Sequence, residues 1–289
     1  MDTTNVFDQR ICTLGEGILW HPLRQQLFWF DIIGKKLLTS TEDDSKQQII
    51  FKEHVSAAGW IDHDHLLIAS ESALSKLHIE SGSCERICPL EADKPNNRSN
   101  DGRADPWGGF WIGTMGKNAD ADVGAIYRYY QGEVRQLFNA LTIPNAICFS
   151  PDRRYGFFTD TTKGIIWRQA LNDTHGWPQG EPTVYIDFSG QGIYPDGAVI
   201  DQSGQFWNAQ WGASRVACYD SNGHIVTAIS LPTSHITCPA FGGKNLSSLY
   251  ATSATQGLST QALKEQPHGG KTFIIASNVR GQAEHRILL

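Results

Sequence analysis

The chain has 289 residues, of which 40% are hydrophobic and only 19% are charged, so a large core is possible. Its formal net charge is −6 and no run of Lys or Arg occurs, which argues against nucleic acid and anionic membranes as partners. The first ten residues are polar, and no apolar run approaches the about 20 residues of a membrane helix. We therefore expect a soluble, cytoplasmic protein.

A strand-like motif rich in aromatic and branched residues recurs along the whole chain, and such a repeat decides the fold class before any other signal. Its six copies begin 39, 43, 46, 50 and 43 residues apart. In chain order they are residues 27–32, 66–70, 109–114, 155–160, 205–209 and 248–252. This spacing is typical of a β-propeller with one blade per interval.

Each copy of the motif has turn residues before it and two further strand-like runs after it. The third copy, for example, precedes strand-like runs at 124–130 and 133–138. Four strands per unit predict an all-β fold, a single six-bladed β-propeller over residues 1–289 with four-stranded antiparallel blades. Two β-sandwiches would not produce six near-equal units. We expect the aromatic strands to be the innermost strands of their blades.

The two ends of the chain are expected to meet in the last blade. Residues 5–12 form a free strand-like segment, and the final run, residues 284–289, needs a neighbour. Pairing the two closes the ring by joining the N-terminal strand to the last blade, and it removes exposed sheet edges that invite aggregation. Helix is expected for one turn only, at Thr260–Glu265.

Polar residues recur 10 or 12 positions before an aromatic residue of the motif, and equal offsets reach equivalent places in every blade. These residues are Glu16, Asn100, Asn145 and Asp196, with the smaller Ser56 and Thr237 in the same window of the other two repeats. Glu16, Asn145 and Asp196 lead directly into apolar stretches. These three side chains should therefore converge on one mouth of the central channel.

Two carboxylates and an amide oxygen in a narrow apolar funnel repel one another unless a cation lies between them. An all-oxygen ligand set suits Ca²⁺, Mg²⁺ or Mn²⁺, while Zn²⁺ and Fe²⁺ also bind carboxylates. The alternative is that Glu16 and Asp196, each followed by glycine, only form turns at strand ends. His63 and His65 have a metal-like spacing but are interpreted as a loop turn, and Trp211 is a candidate to border a sugar.

A series of motifs runs in order along nearly the whole chain. They are Leu14-Gly-Glu-Gly with Trp20, Arg98-Ser-Asn-Asp-Gly with residues 109–115, Asn145 with Ser150-Pro-Asp, residues 155–161, Tyr194-Pro-Asp-Gly with Trp211-Gly, and Phe241-Gly-Gly. Together they resemble the senescence-marker-protein, gluconolactonase and regucalcin family, and the tail is similar to that of bacterial sugar-lactone lactonases. The resemblance implies a six-bladed propeller that holds one divalent metal ion in its channel and hydrolyses aldonolactones, the cyclic esters of sugar acids.

The resemblance also assigns residues by motif. The family's metal ligands correspond to Glu16, Asn145 and Asp196. Its substrate-contacting Arg and Asn correspond to Arg98 and Asn100, and a further acidic substrate contact corresponds to Asp120. Asp196 is the best candidate for the general base of lactone opening, because a carboxylate that contacts both metal and water can accept the proton.

One departure from the family pattern concerns the middle metal ligand. Asn145 is followed by Ala146, where the family often has glycine, so the local turn is expected to differ. Arg98 and Asn100 supply hydrogen-bond donors for sugar hydroxyls and for the oxyanion that develops during attack. The partner implied is a small sugar lactone, such as glucono-, galactono-, xylono- or arabinonolactone. The protein itself is expected to be a monomer or weak dimer.

Two other classes of function compete with the lactonase. A non-catalytic propeller that binds calcium or another metal in a regulatory role, like regucalcin, would not need Arg98 and Asn100 beside the ligands. A protein-interaction scaffold would have no reason to cluster Glu16, Asn145 and Asp196 at one mouth. The sequence therefore favours metal-dependent lactone hydrolysis.

Overall fold

The computed structural model describes residues 4–41, 43 and 45–289. These residues form six four-stranded antiparallel sheets, and the innermost strand of each sheet packs against the innermost strands of its two neighbours. The innermost strands therefore surround a central channel, which confirms the six-bladed β-propeller. None of the described helical residues belongs to a helix long and apolar enough to cross a membrane.

The strands of the first five blades run from the channel outwards in sequence order, after a first strand, β1 (Thr4–Asp8). Blade 1 contains β2 (Gly15–His21), β3 (Gln26–Asp31), β4 (Lys36–Thr41) and β5 (Lys46–Ile50). Blade 2 contains β6 (Val55–Trp60), β7 (His65–Ser70), β8 (Ala73–His78) and β9 (Cys84–Pro89). Blade 3 contains β10 (Asn97–Ala104), β11 (Phe110–Gly116), β12 (Gly124–Tyr130) and β13 (Glu133–Leu141).

The remaining blades complete the ring. Blade 4 contains β14 (Pro144–Phe149), β15 (Tyr155–Asp160), β16 (Ile165–Ala170) and β17 (Thr183–Asp187). Blade 5 contains β18 (Tyr194–Ile200), β19 (Phe206–Trp211), β20 (Arg215–Tyr219) and β21 (Ile225–Ser230). Blade 6 contains β22 (Ile236–Gly242), β23 (Ser248–Ser253) and β24 (Thr272–Ala276), with the predicted helical turn, α1 (Thr260–Glu265), before its last strand.

The N-terminal strand closes the ring as predicted, but with a different partner. β1 pairs antiparallel with β24 and becomes the outermost strand of blade 6. The prediction that residues 284–289 supply the pairing edge was wrong, since no residue of that fully described run belongs to a strand. The run is held by two different blades instead: Ile287 N–H donates to Trp60 O and Leu288 N–H to Gly108 O.

The aromatic motif forms the second strand of each blade, so the prediction that it would be innermost was wrong. Side chains of β3 alternate between two neighbours. Phe28 and Phe30 pack with residues of blade 2, whereas Leu27 and Trp29 pack with residues of blade 6. Blades pack face to face, so large side chains on both faces of the second strand fill the space between blades. The six innermost strands are left to line the channel.

Candidate metal and substrate site

Every innermost strand has a one-residue β-bulge at the same level of the channel. The bulges lie between Glu16 and Leu19, Val55 and Ala57, Ser99 and Gly102, Asn145 and Cys148, Pro195 and Ala198, and Ile236 and Pro239. A bulge bends its strand and redirects the adjoining side chain. The six polar positions predicted from the sequence all lie within a bulge or at its edge, which explains why their offsets from the aromatic motif recur.

The bulge after Glu16 requires glycine for two reasons. Gly17 has a φ of +56°, and a Cβ there would lie 2.0 Å from the carbonyl oxygen of Ser56. Ala146 occupies the corresponding place after Asn145 with a φ of +57°. Its methyl group packs into the core between blades 4 and 5. Alanine therefore keeps the left-handed turn, at a backbone cost of roughly 1–2 kcal/mol.

The carboxyl groups of Glu16 and Asp196 are buried at the floor of the channel mouth, with residue exposures of 6% and 4%. Burial raises the pKa of both carboxyls well above their ordinary values, and the negative charge of Asp101 raises both further. The charge of Asp196 also raises the pKa of Glu16. Among the described residues, Asp196 Oδ1 finds no hydrogen-bond partner. An unpartnered buried oxygen beside a second carboxylate is the arrangement expected of a cation ligand.

A chain of hydrogen bonds crosses three blades and ends beside Asp196. Arg98 Nη1 donates to Asn100 Oδ1 at 2.8 Å, and Asn100 Nδ2 donates to Asn145 Oδ1 at 2.9 Å. Asn145 Nδ2 donates to Thr161 Oγ1 at 3.0 Å, and this hydroxyl donates to Pro195 O at 2.7 Å. Because its amide nitrogen is held by Thr161, Asn145 keeps its carbonyl oxygen on the channel side, where a second lone pair remains available.

Arg98 supplies a buried positive charge to the site. Burial lowers the pKa of its guanidinium to about 10, and the negative charges of Glu16 and Asp196 oppose this change. The group therefore stays protonated at neutral pH. One of its nitrogens, Nη1, is held by Ser99 O and Asn100 Oδ1. The side chain is thus fixed close to the two carboxylates and still lines the open cavity.

These side chains form the floor of a cavity of about 510 Å³ at one mouth of the channel. Glu16, Arg98, Asn100, Asn145 and Asp196 all line it, so the structure brings five of the six predicted site residues together. The walls are largely apolar and include Leu14, Ile33, Met115, Ile143, Tyr194 and Trp211. A polar floor under apolar walls is typical of a small-molecule site.

Trp211 lines this cavity as the sequence suggested, and its ring stacks on that of His235 with centroids 4.0 Å apart. Asp120 is different: it is exposed in the turn between β11 and β12 and is not one of the described residues that line the cavity. Its neighbours Lys117 and Asn118 line the cavity instead. A substrate contact through Asp120 therefore stays a prediction.

Several cavity residues were missed by sequence reasoning. Lys117 and Asn118 lie in a turn, where no periodic pattern marks them. Tyr194 was within a family motif without an assigned role, and so was Thr161. Only the hydrogen bond between Asn145 and Thr161, made across the β14–β15 pair, identifies it as a residue that orients Asn145. That contact depends on the fold and not on local sequence.

The residues present fit a divalent cation. In the described part of the chain, no group of three or more His, Cys, Asp and Glu side chains is placed to hold a metal ion. The candidate set is therefore mixed, two carboxylates and one amide oxygen, with the unpartnered Asp196 Oδ1 among its donors. Hard cations such as Ca²⁺ accept such oxygen sets and complete their shells with water.

Comparison with known proteins agrees with the fold. The sequence model of the SMP-30/Gluconolactonase/LRE-like region matches residues 14–255. The chain belongs to this family. It is 32% identical over 274 residues to 6-deoxy-6-sulfogluconolactonase of Pseudomonas putida, covering 94% of each chain. It is also 32% identical over 280 residues to L-arabinolactonase of Azospirillum brasilense, covering 95% of this chain and 92% of the relative.

A solved structure similar to this SMP-30/gluconolactonase-like chain extends the comparison to the whole fold. The crystal structure of a calcium-binding protein, regucalcin, from Agrobacterium tumefaciens matches with a TM-score of 0.97 at 37% identity. The match covers 99% of this chain and 98% of that chain. The family resemblance drawn from the sequence motifs is therefore confirmed.

Proposed function

We propose that this protein hydrolyses sugar lactones to sugar acids, with a divalent cation held by Glu16, Asn145 and Asp196. The observation that carries the proposal is the convergence of two buried carboxylates, an oriented amide and a buried Arg98 on the floor of one open cavity. Relatives at about a third identity over nearly the whole chain are named lactonases. This supports the same chemistry here.

The bound cation would polarise the lactone carbonyl and lower the pKa of a water molecule that it binds. Asp196 has two roles in the proposal: one carboxylate oxygen holds the cation, and the other accepts the proton of the attacking water. Its backbone is fixed for this purpose, because Asn208 Nδ2 donates to the carbonyl oxygens of Asp196 and Gly197 at 3.0 and 3.1 Å. Glu16 serves only to hold the cation.

Arg98 and Asn100 bind the substrate in this proposal. Among the described residues, only Nη1 of the Arg98 guanidinium is used, in hydrogen bonds to Ser99 O and Asn100 Oδ1, which leaves its Nε and Nη2 donors for a substrate in the cavity that Arg98 lines. They are placed to hold sugar hydroxyls and to stabilise negative charge on the carbonyl oxygen during attack. One such donor is typically worth about 2.7–4 kcal/mol of transition-state stabilisation.

The cavity walls favour a ring-shaped substrate with one polar and one apolar face. The C–H face of a sugar lactone suits the exposed ring of Tyr194 and the edge of Trp211, while its hydroxyls reach the polar floor. Lys117 adds a cation at the rim, although Glu71 is its ion-pair partner. We propose aldonolactones of five or six carbons as the substrate class.

A panel of lactones tests the proposal. Gluconolactone, galactonolactone, xylonolactone and arabinonolactone are assayed by acid release after chelation, and again after Ca²⁺, Mg²⁺, Mn²⁺ or Zn²⁺ is added singly. We expect hydrolysis above the spontaneous rate for at least one lactone, lost on chelation and restored by a cation. Cation binding without hydrolysis of any lactone would favour a non-catalytic calcium-binding role. Full activity in the chelated protein would refute the cation site.

A further inference from the structure

The end of the channel opposite the cavity is covered by the C-terminal segment, residues 277–289. The cavity lies where the innermost strands begin, whereas this segment contacts the places where they end. Gln202 N–H donates to Arg280 O in blade 5, and Gly281 N–H donates to Leu246 O in blade 6. Further on, Trp60 Nε1 donates to Glu284 O at 2.9 Å in blade 2. The segment thus joins several blades across the channel.

A buried ion pair connects this segment to the innermost strand of blade 3. The carboxylate of Glu284 accepts a hydrogen bond from Arg103 Nη1, and the two side chains are 8% and 11% exposed. Arg103 Nε donates in turn to Ile147 O at 3.2 Å. A buried pair of this kind is costly to break, because the remaining charge is left without a partner.

The same residue of β14 is also held by Asp101, a buried carboxylate that the proposed reaction does not use. Asp101 Oδ2 accepts the N–H of Ile147 at 2.7 Å. Asp101 and Arg103, both on β10, therefore hold the N–H and the C=O of a single residue. Ile147 lies two positions after Asn145, inside the bulge that directs Asn145 at the cation site. The intervening Ala146 has the left-handed backbone that alanine disfavours.

We infer that Asp101, Arg103 and Glu284 are positioning residues that hold the Asn145 bulge in the shape the cation site requires. The inference rests on the proposed function for its consequence in activity, but its structural part does not. Asp101 and Arg103 fix the Ile147 peptide groups, and Glu284 keeps Arg103 in place from the far end of the channel. The C-terminal segment therefore takes part in shaping the site without touching substrate.

The charges along the channel agree with this assignment. Four carboxylates, those of Glu16, Asp101, Asp196 and Glu284, face two guanidinium groups, those of Arg98 and Arg103. When all are ionised, two negative charges remain, which one divalent cation would balance. Loss of either Glu284 or Arg103 alone would change this net charge, so that one divalent cation would no longer balance it. The network thus fits a channel that is built around a divalent cation.

The test compares Glu284→Gln with Arg286→Ala, a control on the same segment. Arg286 donates to Ile61 O and lies over the ring of Trp60, but it does not touch the network. Amide hydrogen exchange over β14 is measured first, because it requires no activity. We expect faster exchange at β14 in Glu284→Gln and wild-type exchange there in Arg286→Ala. Unchanged exchange at β14 in Glu284→Gln would overturn the inference.

Calcium affinity and lactone kinetics are then measured on the same proteins. Groups that orient a metal ligand typically contribute about 10- to 100-fold to affinity or activity, and we expect a loss in that range for Glu284→Gln. Arg286→Ala should keep the wild-type calcium Kd even if its Tm falls. If wild-type protein hydrolyses no lactone, the proposed function fails, while exchange and calcium affinity still decide the inference.

A double variant separates positioning from stability alone. Arg103→Met combined with Glu284→Leu removes both charges of the ion pair, so neither partner of the pair is left alone and Tm should recover toward that of the wild type. The hydrogen bond to Ile147 O is still lost. We therefore expect calcium affinity and kcat/KM to stay low in this variant despite its stability. Recovery of both would show that the ion pair only stabilises the fold.

Discussion

Replacing Asp196 by Asn separates catalysis from folding, because the two should change in opposite directions. The side chain keeps its size, and its backbone stays anchored by Asn208. In the metal-free protein, burial and Asp101 hold the pKa of the Asp196 carboxyl well above its ordinary value. Each pKa unit above the unfolded value, up to the pH of the measurement, costs about 1.4 kcal/mol. The neutral amide removes this cost, so the metal-free variant should melt higher, roughly 3–6 °C per pKa unit.

The activity of Asp196→Asn should fall by about 10²–10⁴-fold, the usual contribution of a general base, and cation stabilisation should fall with it. Thermal melting with and without Ca²⁺ and acid release from the best lactone measure the two effects. The matched control is Asp201→Asn, just beyond the same strand. Asp201 accepts from Ser203 N, Gln205 N and Trp207 Nε1. Its loss should cost about 1–3 kcal/mol of stability and leave the cation response intact.

The reasoning about Asp196 is refuted by either of two results. Wild-type turnover in Asp196→Asn would remove Asp196 from the mechanism. If the metal-free melting temperature of Asp196→Asn falls as far as that of Asp201→Asn, the Asp196 carboxylate has stabilising partners within the folded protein and does not need a cation.

Three further predictions address other parts of the site. Arg98→Ala should lower kcat/KM by about 10²–10³-fold with little change in calcium Kd, and an equal loss of both would contradict a substrate-binding role. Gly17→Ala should destabilise the protein, since its Cβ meets Ser56 O, and a wild-type Tm would contradict that contact. Cation affinity should fall as pH drops, because the raised pKa values of Glu16 and Asp196 make binding release protons; titration calorimetry in two buffers detects this release.

The pH dependence of stability has a definite sign. A carboxyl whose pKa is raised on folding destabilises the folded state above that pKa, so the metal-free protein should gain stability as pH falls through the raised values toward about 4. His21 and His285 have the opposite effect. Burial lowers the pKa of each to about 4, so the folded protein loses stability as pH falls below the ordinary histidine range. The difference between wild type and Asp196→Asn isolates the carboxyl contribution.

Blade number could be predicted because it depends on a pattern that repeats along the chain, and ring closure because the N-terminal strand-like segment lies outside that repeat. The aromatic strand is buried on both faces in every blade, so its copies recur at nearly equal intervals. Its place in the blade could not be predicted in the same way. The first and second strands of a blade are both buried along nearly their whole length, and only packing distinguishes them.

The proposed cation ligands were accessible to sequence reasoning because each lies at the same bulge of an equivalent strand. Thr161 and Glu284 were not accessible. Thr161 orients Asn145 from the turn after the neighbouring strand, and Glu284 reaches Arg103 across 181 residues of sequence. The C-terminal run was assigned to a sheet edge for a related reason. Its apolar residues, such as the buried Ile287, fill a gap between blades, and no periodic pattern in the sequence predicts such a contact.

The central claim is that Glu16, Asn145 and Asp196 hold one divalent cation at the floor of the cavity. Anomalous diffraction from crystals grown with Mn²⁺, with data collected near the manganese edge, tests it most directly. We expect one strong anomalous peak within coordination distance of oxygens from all three side chains, and its loss in crystals of Asp196→Asn. No peak there, or a peak bound by other residues while the lactone is still hydrolysed, would refute this cation site.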